Sequence, residues 1–154
     1  MNPFARFATG LIAGLIVTSI LVVSVEMLSA LAHPFPEGFQ GTPEELSRHV
    51  ERYPGWVLAA AAAAWSLTAL AGTWIAGRVG NRLAAGVLGG LLVAAVIFNL
   101  AMLPYPAWFK IACLIGIPMA GWFGYTASCR AAAAGRGEEP GTATPAPGGN
   151  SVKS

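Results

Sequence analysis

Four stretches of this chain are apolar almost without interruption, at 7–31, 55–77, 83–103 and 107–128. Each is close to the ~20 apolar residues that cross a bilayer as a helix. None shows the polar stripe that a helix lying on a soluble core would turn to water. The pattern therefore predicts an all-α, membrane-embedded protein: an up-down four-helix bundle spanning residues 1–129. The breaks between runs are sharp. Arg78-Val79-Gly80-Asn81-Arg82 is a short basic turn, and Pro104-Tyr105-Pro106 stops the third run, because proline lacks the amide donor and restricts the residue before it.

The connection at 33–54 is the one sizeable hydrophilic segment between apolar runs. It opens with His33-Pro34-Phe35-Pro36-Glu37-Gly38, which cannot continue a helix. Thr42-Pro43-Glu44-Glu45 then has the form of a helix start, with Thr42 as N-cap, Pro43 in the first turn and Glu45 placed for a capping box. Leu46, Val50 and Tyr53 follow at helical spacing, and Glu44/Arg48 and Glu45/His49 are i,i+4 pairs. These predict a short external amphipathic helix from about Pro43 to Arg52, resting on the rim of the bundle or at the lipid interface, as a capping element first and a lid over a site as the alternative. From residue 130 to 154 the chain turns to Ala, Gly, Pro, Thr and Ser, a composition expected to give a disordered cytoplasmic tail.

Composition agrees with the pattern. Of 154 residues, 55% are hydrophobic and 10% charged, against roughly 25% charged in soluble domains. The formal net charge of +2 is scattered along the chain, which gives no nucleic-acid footprint. Arg6, Arg78, Arg82, Arg130 and Arg136 fall on one side of four alternating helices; Arg48, Arg52 and Lys110 fall on the other with Glu37, Glu44, Glu45 and Glu51. The positive-inside rule then places both termini in the cytoplasm and the 33–54 loop outside a plasma (bacterial inner) membrane. Ala30-Leu31-Ala32 has the small-x-small form of a signal-peptidase site, but the apolar run before it is longer than a leader's and contains Glu26, so retention is expected. Cys113 and Cys129 stand sixteen positions apart on one run. That is about 24 Å of helix, too far for a disulfide.

Small residues recur every fourth position in each run, which allows helix backbones to approach closely in lipid. They are Gly10 and Gly14; Ala60, Ala64, Thr68, Gly72 and Ala76; Gly86, Gly90 and Ala94; and Ala112, Gly116, Ala120, Gly124 and Ser128. Packing within the chain is the first expectation for these faces, and a homo-oligomer or membrane-protein partner the second.

Polar residues inside a span are costly and point to function. Glu26 lies five residues before the end of the first run and Asn99 five before Pro104. Both helices run outward, so the two groups should share one depth in the outer leaflet. Lys110, at the start of the fourth run, and His33, just past the first, are possible neighbours. A hydrogen bond or ion pair that fixes helix register is one reading of this cluster, a proton- or ligand-binding site is another, and Glu26 simply reaching the water-filled rim is the third. No metal-ligand spacing, P-loop, GxSxG or CxxC is present, so no cofactor is expected and the protein is read as non-enzymatic.

The chain resembles a group of small bacterial four-helix integral membrane proteins of uncharacterised role. The shared pattern is Glu26-Met27, Pro34-Phe35-Pro36-Glu37-Gly38, Ala71-Gly72-Thr73-Trp74-Ile75-Ala76-Gly77-Arg78, and Asn99 before Pro104-Tyr105-Pro106-Ala107-Trp108-Phe109. It covers roughly residues 10–128 and implies no activity. Small multidrug transporters also have four helices and a first-helix glutamate. Here the carboxyl lies near the outer end and the first loop is long, a departure from their pattern. The expected role is a structural or accessory membrane component, with a small transporter or ligand-binding protein using Glu26 and Asn99 as the alternative.

Overall fold

The computed structural model describes residues 2–137. It holds five helices: α1 (Pro3–Ala32), α2 (Pro43–Glu51), α3 (Gly55–Val79), α4 (Arg82–Met102) and α5 (Ala107–Gly137). No strand occurs among the described residues. Four of the helices are long and apolar enough to cross a membrane.

The helix ends follow local chemistry. Asn2 caps α1, accepting from the Ala5 amide at 2.7 Å, and Pro3 fills the first turn. Thr42 and Glu45 form the anticipated capping box of α2. The Glu45 carboxylate turns back to the amides of Gln40 (2.9 Å) and Thr42 (3.3 Å), away from His49. Asn81 caps α4 through the Ala84 amide at 3.0 Å. Two boundaries differ from expectation. The first helix begins at Pro3 rather than 7 because the cap precedes the apolar run. The last runs through Pro118 to Gly137, past the expected stop at Ser128. The alanines at 131–134 are the best helix formers and favour that continuation over a coil. The rest of the expected disordered tail, from 138 on, lies outside the described residues.

Which helices touch is decided by small residues. α3 contacts α1, α4 and α5; α4 likewise contacts the other three long helices; α1 and α5 do not meet among the described residues. Along the α1–α3 seam, a methyl added at Gly10 would lie 2.5 Å from the Ala76 carbonyl and the Gly80 Cα, and one added at Gly14 would lie 2.8 Å from Ala76 Cβ. Thr18 packs on Gly72. Rising numbers on α1 meet falling numbers on α3, so these two run antiparallel. On the other side Gly116 meets Ser66, Gly124 meets Leu70 and Thr73, and Ser128 meets Gly77. Here both series rise together and the helices run parallel.

Thr73 marks one of the two close points of that second seam, the other being Gly77 against Ser128. The buried Thr73 hydroxyl lies 2.7 Å from the Ala69 carbonyl in its own helix and 3.1 Å from the Gly121 carbonyl of α5. Two apolar clusters complete the interior. Leu58, Ala69, Leu100, Phe109, Cys113 and Ile117 fill the half nearer α2. Ala76, Ala84, Ala85 and Leu88 fill the half nearer the α3–α4 turn. Cys113 and Cys129 are free thiols.

The outer surface is the reverse of a soluble protein's. Ile12, Ile16, Ile20, Leu67, Phe98, Ile111, Trp122 and Phe123 are all more than half exposed, among many other large apolar side chains. A soluble monomer rarely shows a continuous apolar patch beyond a few hundred Å².

Candidate functional site

At the end of the molecule nearer α2, Glu26 of α1 and Asn99 of α4 line one cleft of about 190 Å³. Trp65 and Thr68 of α3, Leu92 of α4 and Ile117 of α5 complete its walls. Glu26 reaches it because the Gly10–Gly14–Thr18 face holds α1 against α3 two turns earlier. The cleft is mostly apolar, and Glu26 is its one charged group. Glu26 is exposed and Asn99 is half-buried. The side-chain carbonyl oxygen of Asn99 is buried with no hydrogen-bond partner. The Thr68 hydroxyl, which also lines the cleft, is committed to the Ala64 carbonyl at 2.9 Å.

The other two anticipated residues lie elsewhere. Lys110 is half-buried in the first turn of α5 and does not line the cleft. His33 follows α1, where its amide donates to the Ser29 carbonyl at 2.9 Å. Its ring turns to the external segment, stacking on His49 at 4.5 Å between centroids and lying 4.8 Å from Tyr53. Phe35 stacks on the His49 ring at 4.5 Å and on Phe39 at 4.3 Å. His49 is only 6% exposed, and the Nε2 atoms of both histidines are buried without partners. Burial pushes the His49 imidazole below its ordinary pKa, and a charge on His33 would push it further.

Two tyrosines stand between this histidine cap and the cleft. Burial raises the Tyr105 phenol to about 12, with the charge of Glu26 adding to it. Tyr53 is raised by burial first and by Glu26 second. A second cavity, about 290 Å³, lies on the far side of the histidine pair and includes Glu37, Glu45, Arg48 and Arg52. No group of three or more His, Cys, Asp or Glu residues suited to a metal occurs among the described residues.

The pairing of Glu26 with Asn99 in one cleft follows from their shared distance to a helix end. Trp65, Tyr105 and the His33–His49 stack were not singled out as parts of a site. Aromatic residues near helix ends are common anchors, and two histidines on an irregular loop carry no periodic signal. Fold and cleft together define the class: an all-helical protein with four helices able to cross a membrane and a single carboxylate set among them. Compared with protein-family models, curated proteins and solved structures, the chain matches none.

Proposed function

We propose that this is a multi-pass, non-enzymatic protein of the plasma (inner) membrane that binds a small cationic amphiphile at Glu26 and Asn99. In this reading the four long helices form an up-down bundle in the bilayer, both termini are cytoplasmic, and the 33–54 segment covers the site from outside. One observation carries it: the only charged group of the cleft and a buried, unpartnered amide oxygen line the same opening. Both are acceptors, so the complementary ligand is a donor with positive charge, such as a primary ammonium. Trp65 provides an aromatic wall against which a cation is attracted. A charged carboxyl within a span costs about 2.5–3.5 kcal/mol at mid-membrane and less toward the interface, a cost that a bound cation or proton would offset. At about 190 Å³ the cleft is below the ~300–1,000 Å³ of drug-sized sites. It fits the head of such a ligand, leaving an apolar tail in lipid.

A structural or accessory role through helix contacts is the second reading, favoured by the small-residue face of α4 that no other helix covers. Titration of the detergent-solubilised chain with benzylammonium, followed by Trp fluorescence with Trp65→Phe as control, separates the two. Binding that is lost in Glu26→Gln and weakened in Asn99→Leu supports the site. Equal responses from wild type and Glu26→Gln would leave only the accessory role.

A further inference from the structure

A groove of about 850 Å³ runs between α4 and α5 and adjoins the Glu26 cleft, with which it shares Ala69, Leu92 and Ile117. Its floor includes Gly86 and Gly90, where an added methyl would meet nothing within 4 Å. Val93 and Trp122 line it as well, and the Trp122 ring stacks on Tyr125 at 5.7 Å. Arg82, the first residue of α4, closes one end and is the only charged one among the described residues of the lining. The surrounding end of the molecule also carries Arg6, which donates to the Gly80 carbonyl at 3.2 Å, along with Arg78 and Arg130. Every acidic side chain of the described residues (Glu26, Glu37, Glu44, Glu45, Glu51) belongs to the opposite half.

We propose that this groove holds a phospholipid with an anionic headgroup, its acyl chain on the glycine floor and its phosphate at Arg82. Charge and shape each argue for this occupant. Arg82 sits at a helix N-terminus where Asn81 takes the Ala84 amide and the Arg82 and Leu83 amides are left without an intrahelical partner, an arrangement that attracts phosphate. A lipid chain is apolar, narrow and available along the whole length of a groove facing the bilayer. A second copy fits less well. Copies inserted in the same sense would meet through α4 with Arg82 opposite Arg82 at one height, and among the described residues no carboxylate lies at that end to pair with either. The face of small residues would favour close approach, but the like charges at its end oppose it.

The inference rests on the membrane reading above, and the experiment keeps the two apart. The full-length chain, purified in detergent, is mixed with equal amounts of dioleoyl phosphatidylglycerol and phosphatidylcholine, and retained lipid is counted by native mass spectrometry. About 1 kcal/mol per basic residue near an anionic surface corresponds to a preference of about fivefold for phosphatidylglycerol. Arg82→Gln should bring the ratio close to one. Gly90→Leu, which has room to fold, should reduce retention of both lipids. Equal retention by the wild type, or a preference unchanged in Arg82→Gln, overturns the lipid site. So do lipid-free dimers cross-linked through Gly90→Cys, which would make the groove a seam between copies. A chain that stays monodisperse without detergent would instead remove the membrane reading itself.

Discussion

His49 shows how a single side chain sets the behaviour of the external segment. Its ring is enclosed by His33, Phe35 and Tyr53, and burial holds its pKa below the ordinary 6.5. A neutral histidine is thus preferred in the folded segment, while the unfolded one takes a proton near its ordinary value. The contribution to stability is complete above about pH 6.5. It declines as pH falls below that value, because only the loosened segment binds the proton freely. Once the slower intrinsic exchange at lower pH is divided out, the protection factors of residues 33–54 should fall several-fold between pH 7.5 and 5.5, and His49→Phe should flatten the response. Glu45 pulls the same way at lower pH: bonds from the Gln40 and Thr42 amides hold its carboxyl below the usual range, so the cap of α2 weakens as pH falls through that range. Protection factors independent of pH in the wild type would show that the histidine stack does not hold the segment down.

The helices differ in how their small residues are used, and that difference is testable. An added side chain at Gly124 would collide with Thr73 Oγ1 and the Leu70 carbonyl, whereas Gly86 opens onto free space. Gly124→Val should lower stability by about 1–3 kcal/mol, the usual result of overfilling a packed seam. Gly86→Ala should raise it by up to about 1 kcal/mol through helix propensity alone. Thermal unfolding of both variants in one detergent compares them directly; similar melting temperatures would mean that α3 and α5 are not packed as described. The same contrast marks where the sequence stops being informative. Apolar run length locates the four long helices, and Thr42, Pro43 and Glu45 specify the start of α2, because those signals are local. Four stripes of small residues can be read from spacing, but only that of α1, that of α3 from Ala64 to Ala76 and that of α5 from Gly116 to Ser128 lie in seams, while Ala60, Ala112 and the stripe of α4 are open. Which stripe meets a neighbour depends on how helices distant in sequence rotate against each other. The cleft shows the same division: counting from helix ends sets Glu26 and Asn99 at one depth, but it cannot reveal that Lys110 and His33 face elsewhere.

For the whole molecule, the distribution of charge along the long axis determines how it would sit in a membrane. Arg6, Arg78, Arg82 and Arg130 gather at the α3–α4 turn, tied there in part by Arg6 to Gly80. The end carrying α2 mixes Arg48 and Arg52 with Glu37, Glu44, Glu45 and Glu51. Basic residues next to spans are retained on the cytoplasmic side, so the arginine end should face inward and the Glu26 cleft should open to the outer leaflet. In a background of Cys113→Ala and Cys129→Ala, a membrane-impermeant maleimide added to intact cells should label Ser47→Cys. Arg78→Cys, exposed at the other end, should react only after permeabilisation. Reaction of Arg78→Cys in intact cells would turn the molecule over. The cationic ligand would then be drawn from the cytoplasmic leaflet and the anionic lipid from the outer one, so this labelling experiment also fixes the side from which each proposed site is filled.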